Sequence, residues 1–199
     1  MEYEAIPIFS SPIYISKNSY ILDNEEINFI KKLDCIDYNI NKQTKNQFIL
    51  SEVKLTGLKN FITLHLENYK QEILKPVNNF DISITQSWIN FYDENNYIHT
   101  HDHPNSFLSG IFYIENNNCP TEFDIRNRVF NLDIGPVKEY NIFNCNSWQI
   151  CPENFKLVLF PSTVLHKTKI NSKNKQRITL SFNTYLKGEI GDNLYKLNV

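Results

Sequence analysis

"YIHTHDHPNSFLSG", residues Tyr97 to Gly110, contains His99, His101 and His103, three of the five histidines in a chain of 199 residues. Alternate residues of a β-strand project from the same face. If this stretch is extended, the three rings line one side of a sheet while Thr100 and Asp102 point away. Imidazoles placed like this repel one another when protonated and desolvate one another when buried. A divalent metal ion resolves the conflict, because neutral imidazole is a good ligand for iron, copper, nickel and zinc. The alternative is an exposed histidine-rich edge strand that holds nothing.

The stretch sits in a run of short strands. After Pro76, residues 81–92, 97–103, 106–115, 121–126, 157–160, 164–170 and 176–186 all show apolar or β-branched alternation. Turn-forming clusters separate them: "DENN", "HPN", "NNNCP", "FPS" and "NSKNK". Closely spaced strands without intervening helices predict an all-β sandwich or barrel. Ahead of them, "IPIFSSPIYISKNSYI" (6–21) reads as an edge strand and turn. Residues 24–33 carry acids first and lysines last, which suits a short helix and its dipole. Between Ser51 and Leu74, the residues Leu55, Leu58, Phe61, Ile62, His65, Leu66 and Tyr69 recur at helical spacing, and Pro76 closes the segment. The expectation is one domain over 1–199, with an N-terminal strand and helices (1–76) packed outside a β core (80–186). Residues 127–155 read as a long insertion or lid.

Bulk properties narrow the function. Hydrophobic residues make up 41% and charged residues 21%, the balance of an ordinary globular domain. A net charge of −2 without a dense Lys/Arg block argues against nucleic-acid binding. No apolar run is long enough to span a bilayer, and the start lacks the pattern of a secretory signal. The four cysteines show no CxxC spacing, so reduced thiols and a cytoplasmic setting are expected.

A metal site needs a ligand from elsewhere in the chain. His65 lies on a helical apolar face and reads as a packed residue, which leaves His166, just past the strand and Pro-containing turn of "LVLFPSTVLHKTKI" (157–170). Ligands from one strand plus a distant histidine is the layout of a jelly-roll metal centre. There the usual His-x-Asp/Glu…His set leaves positions open on iron(II). This chain has His-x-His, and on a regular strand Asp102 faces away from the rings. In "QRITLSFN" (176–183), Arg177, Thr179 and Ser181 share a face opposite Ile178, Leu180 and Phe182. An arginine so placed suits a carboxylate held through the guanidinium fork.

"SWINFYDENNYIHTHDHPNSFLSGIFYIE" (87–115), "LVLFPSTVLHKTKI" and "QRITLSFN" together resemble the 2-oxoglutarate/Fe(II) oxygenases related to the prolyl 4-hydroxylase superfamily. The motifs are Trp-x-Asn, His-x-His-Pro, Leu-Ser-Gly, Leu-x-x-Phe-Pro-Ser with a following His, and Arg-Ile-x-x-Ser-Phe-Asn. The resemblance implies a double-stranded β-helix (a cupin-like jelly roll). It implies Fe(II) held by His101, His103 and His166, with His99 as the alternative ligand, and 2-oxoglutarate and O2 as cosubstrates. Arg177 would bind the far carboxylate of 2-oxoglutarate, with Thr179 or Tyr113 adding a hydroxyl and Asn90 and Ser109 lining the pocket. The reaction implied is hydroxylation of a small-molecule or peptide substrate, and a homodimer is one arrangement considered. Two features depart from the family pattern: "ENFK" (153–156) where a glycine is usual, and the stretch "YNIFNCNSWQICPE" (140–153). Two other functions stay open: a three-histidine cupin enzyme that does not use 2-oxoglutarate, and a non-catalytic, metal-stabilised binding module.

Overall fold

The computed structural model of the protein describes residues 2–126 and 135–199. Part of the expected insertion, 127–134, lies outside the described residues.

Helix α1 (Asn24–Lys31) begins at a reciprocal cap. Asp23 Oδ1 accepts from the Glu26 amide at 2.8 Å, and Glu26 Oε2 accepts from the Asp23 amide at 2.9 Å. Helix α2 (Thr56–Tyr69) follows two short 3-10 turns and ends in a wider π turn over Lys70–Leu74. Lys75 then adopts a left-handed conformation (φ 47°), so the chain leaves the helix before Pro76. Leu58, Ile62, Leu66 and Tyr69 form the buried stripe that the helical spacing predicts.

That stripe packs on a large antiparallel sheet. In spatial order its strands are β1 (Tyr14–Ile15), β9 (Leu157–Pro161), β6 (Leu108–Glu115), β11 (Arg177–Ile190), β4 (Phe80–Tyr92), β3 (Asn41–Thr44) and β2 (Cys35–Tyr38); β12 (Leu197–Asn198) pairs with the far end of β11. Ile89, Phe91, Phe112, Leu180 and Phe182 face the helices in the main core. Their alternating neighbours face a second sheet, ordered β5 (Ile98–His101), β10 (Leu165–Thr168), β7 (Thr121–Asp124) and β8 (Ser147–Ile150). Ile111, Tyr113, Val158 and Phe160 meet Phe123 in the smaller core between the sheets. The architecture is the expected mainly-β jelly roll with the N-terminal helices packed outside.

Three details differ from the sequence reading. The hairpin β2–β3, drawn from the N-terminal region, extends the large sheet beyond β4, with Gln43 opposite Asn90. Its polar sequence "CIDYNINKQT" carries little apolar alternation, so its strands were not legible. Likewise β8 falls within the stretch read as an insertion. The histidine strand itself is shorter than 97–103 and stops at His101. Pro104 has no amide to donate to a ladder, and Asn105 turns back at φ 58°. His103 therefore stands on a turn, its amide donating to the Ser162 carbonyl at 3.0 Å.

Gly110 on β6 lies opposite Phe182 on β11, and a Cβ built on it would stand 2.1 Å from the Phe182 ring. The ring is 1% exposed and cannot swing clear. Gly110→Ala is expected to cost about 1–3 kcal/mol by overpacking, and a melting experiment should show roughly 2–4 °C lost per kcal/mol. Phe182→Leu should recover part of the loss in the double variant.

Candidate metal and anion site

The site lies between the two sheets. Antiparallel pairing of β5 with β10 sets His101 directly opposite His166, with ring centroids 4.3 Å apart. The turn after β5 brings His103 back over the pair: its Nε2 is 3.3 Å from His166 Nε2, and the two rings are nearly parallel at 9°. One ligating atom from each of His101, His103 and His166 falls within 4.8 Å of the others. His99 projects from the same strand face as His101 but is exposed, its ring edge-on to Tyr97 at 4.9 Å, and it is not part of this group.

Backbone contacts orient two of the rings. His101 Nδ1 lies 2.8 Å from the His99 carbonyl and His166 Nδ1 lies 3.1 Å from the Val164 carbonyl. A carbonyl only accepts, so each Nδ1 carries a proton and each Nε2 is the ring nitrogen left to face the cluster. Burial, reinforced by the neighbouring rings, holds His103 down at about 4 and His166 down at about 3, so both are neutral at pH 7. Three imidazoles, each with a ring nitrogen in this group, form a donor set for a borderline divalent cation such as Fe(II). Asp102 does not join them, because its carboxylate pairs with Arg126.

Arg177 is 1% exposed at the start of β11. Its guanidinium lies over the Tyr92 ring, 4.8 Å from the centroid, and 5.6 Å from the Tyr113 centroid. Its Nε donates to Asn116 Oδ1 at 3.1 Å, while both terminal nitrogens are buried without a hydrogen-bond partner. A buried, permanently charged fork with free donors is a fit for a carboxylate. Thr179, opposite both Asn90 and Tyr113, lies on the same face. The Tyr113 hydroxyl is 2.8 Å from Thr121 Oγ1, and burial pushes it up to about 12, so it remains protonated. Asn90 Nδ2 donates to Ser181 Oγ at 3.1 Å.

Ser109 belongs to a different part of the site. It pairs with Asn183, at the opposite end of β6 from Tyr113. Its Oγ lies 2.8 Å from Ser162 Oγ and 2.9 Å from Asn183 Oδ1, and Ser162 Oγ is 2.9 Å from Ser106 Oγ. This buried hydroxyl chain grips the strand end whose carbonyl holds the His103 amide, so Ser109 supports the histidine turn rather than the guanidinium end. Tyr92, Asn116, Trp88 and Ser162 were not singled out from sequence as site residues. Tyr92 and Trp88 had a signal, since they alternate with Asn90 on "SWINFY"; Asn116 had none, because it reaches Arg177 from a turn. Trp88 stacks on the His103 ring, 27° from parallel with centroids 6.0 Å apart.

The sequence model of one protein family, described as "Putative 2OG-Fe(II) oxygenase", matches residues 86–183, just under half of the chain. That segment includes His101, His103, His166 and Arg177. No curated protein matches. Among solved structures, HygX from Streptomyces hygroscopicus, with nickel and 2-oxoglutarate bound, superposes with a TM-score of 0.59 at 8% identity, covering 87% of this chain and 82% of HygX. A Pseudomonas putida prolyl-4-hydroxylase gives 0.55 at 10% identity over 87% and 93% of the two chains. An oxidoreductase of the 2OG-Fe(II) oxygenase family from Burkholderia pseudomallei gives 0.57 at 9% identity over 80% and 75%. At such identities these likenesses establish the fold. The family match concerns the segment 86–183, which carries the imidazole cluster and Arg177. No helix among the described residues is long and apolar enough to cross a membrane.

Unfolded histidines take up protons near pH 6.5, whereas His103 and His166 in the metal-free fold do so only near 4 and 3. Between those values the unfolded chain binds more protons, so stability falls as the pH is lowered. The melting temperature of the metal-free protein should decline from about pH 6.5 downward, with a shallower slope in His166→Phe. Ser162→Ala, which cuts the hydroxyl chain, should weaken Ni(II) binding by roughly 10–100-fold in calorimetric titration, as loss of ligand-supporting contacts commonly does.

Proposed function

We propose that this protein is a 2-oxoglutarate/Fe(II) oxygenase, a hydroxylase in which His101, His103 and His166 hold the iron and Arg177 holds the distal carboxylate of 2-oxoglutarate. The observation that carries the reading is the pair of buried, unpartnered terminal nitrogens of Arg177 on the inner face that also receives the imidazole cluster. Iron and 2-oxoglutarate, when bound, supply oxygen activation: one O2 and one 2-oxoglutarate yield succinate, CO2 and a hydroxylated C–H bond.

The chain's own groups bind, orient and exclude water. The guanidinium presents two parallel N–H donors to a carboxylate, and Asn116, accepting from Nε, fixes the plane of that fork. Tyr92 and Tyr113 wall it on the sides. They keep solvent away, so the charge-assisted bonds act at low dielectric. Thr179 offers a hydroxyl on the same strand face, and the Asn90–Ser181 pair lies one step further along. The Nδ1 contacts of His101 and His166 hold the Nε2 lone pairs on the metal position. Trp88 covers one ring of the set.

A small molecule is the proposed substrate; HygX has been solved with nickel, 2-oxoglutarate and hygromycin B bound. The four free cysteines suit a reducing, cytoplasmic setting, and the net charge of −2 leaves nucleic acid out of the partner list. A second reading, a three-histidine cupin enzyme independent of 2-oxoglutarate, draws on the all-imidazole donor set, which leaves the charge of a bound divalent ion uncompensated.

Succinate release from 2-oxoglutarate in the presence of Fe(II), ascorbate and O2 separates the two. The wild-type protein should release succinate, and His166→Ala should reduce the rate at least 100-fold; an unchanged rate would remove the iron assignment. Arg177→Met forfeits two charge-assisted bonds worth about 1.5–3 kcal/mol each, so its KM for 2-oxoglutarate should rise by at least 100-fold. The cupin reading requires that Arg177→Met leave 2-oxoglutarate binding untouched.

A further inference from the structure

We propose that the β3 side of the site selects an uncharged substrate bearing an N–H or O–H hydrogen-bond donor, with Asn41 as the acceptor and Trp88 as the aromatic wall beside the metal position. This rests on the oxygenase reading above and names the class of molecule it acts on.

The hairpin β2–β3 adds a polar inner face next to β4. Gln43 stands opposite Asn90 and Lys42 opposite Phe91, so alternation puts Asn41 and Gln43 on the inward side and Lys42 outward. Continuing that register sets Asn41 beside Tyr92, whose ring carries the Arg177 guanidinium. From there Asn41 reaches across to the second sheet, where its Nδ2 donates to the carbonyl of Tyr97 at 2.9 Å, one residue before the histidine strand. That bond fixes which way the amide points. The atom left over is Oδ1, buried and without a hydrogen-bond partner in a side chain only 3% exposed.

The unpartnered groups of this inner face are of two kinds. The Arg177 nitrogens are donors and suit a carboxylate. Asn41 Oδ1 is an acceptor and suits a donor, which neither carboxylate nor the ketone of 2-oxoglutarate can supply. An unmatched buried carbonyl costs about 1–3 kcal/mol, a penalty that a substrate N–H or O–H would remove.

Charge points the same way. On the inward faces of β3, β4 and β11 stand Asn41, Gln43, Asn90, Trp88, Ser181 and Asn183, none of them charged, while Arg177 on the same face of β11 is taken up by the carboxylate of 2-oxoglutarate in the oxygenase reading. The Asn90–Ser181 and Gln43–Gln47 contacts leave the wall polar and neutral. A carboxylate or ammonium on the substrate would be desolvated there without a counter-ion, whereas a neutral amide, alcohol or ring N–H is matched. The half-buried Trp88, stacked on His103, gives a flat apolar surface for the rest of the molecule.

Trp88 and Trp148 are the two tryptophans of the chain, and Trp148 lies on β8, so Trp148→Phe leaves Trp88 as the reporter. Zn(II)-loaded Trp148→Phe protein with 2-oxoglutarate would be titrated with benzamide, benzoate and benzylammonium, three probes on one ring differing in charge and donor. Benzamide should change the Trp88 emission saturably, with the two ions binding at least tenfold more weakly. Asn41→Leu should lower benzamide affinity about tenfold, and the near-isosteric Asn41→Asp should shift preference to benzylammonium. The proposal is overturned if either ion binds as tightly as benzamide, if benzamide gives no saturable response, or if Asn41→Leu and Asn41→Asp both leave the order unchanged. Succinate release by the Fe(II) protein without any probe reports separately on the oxygenase reading, so the failure of one is distinguishable from the failure of the other.

Discussion

The pairing of β5 with β10 is the constraint on which the site depends. His101 and His166 are directly opposed across an antiparallel ladder, so the strand register alone brings together two rings separated by a long stretch of chain. A slip of one residue would turn either ring to the other face of the sheet. Burial keeps the His166 ring unprotonated near neutrality, and the turn adds His103 to the same desolvated space with the same result. The cluster is costly for a metal-free protein to maintain in acid, and that same unprotonated state is what a divalent ion requires.

Strand β11 links this site to the stability of the fold. One face gives Leu180 and Phe182 to the core beneath the helices, and the other gives Arg177, Thr179, Ser181 and Asn183 to the space between the sheets. β4 and β6 flank it on both sides, so the guanidinium stands in the most enclosed part of the large sheet. There Tyr92, Tyr113 and Asn116 surround it with aromatic faces and one acceptor. A rigid, dry location makes an anion contact strong, and it requires a partner for a charge that water does not reach.

The polar groups between the sheets fall into satisfied and unsatisfied sets, and the division follows their tasks. Ser106, Ser109, Ser162 and Asn183 are bonded among themselves and support the histidine turn. On β7, the buried Glu122 is held down at about 2 by Lys167, Lys169 and Gln149, which neutralises a carboxylate carried on the strand beside His166. The Arg177 terminal nitrogens and Asn41 Oδ1 have no such partners. Groups that hold the scaffold are paired within the protein, and those without partners are the ones suited to ligands.

Sequence by itself determined the mainly-β class, the helical stripe of α2 and the shared face of Arg177 and Thr179. Each follows from side-chain periodicity, a local property that a strand or helix imposes wherever it lies. Tertiary structure alone decided that His103 acts from a turn while His99 stays exposed, because Pro104 and the Ser162 carbonyl end the strand after His101. It also decided that Ser109 braces the histidine turn, that Asn116 orients the arginine, and that the weakly patterned hairpin β2–β3 supplies Asn41. These roles depend on contacts between residues far apart in sequence, and such distances are set by packing and register rather than by the order of the residues.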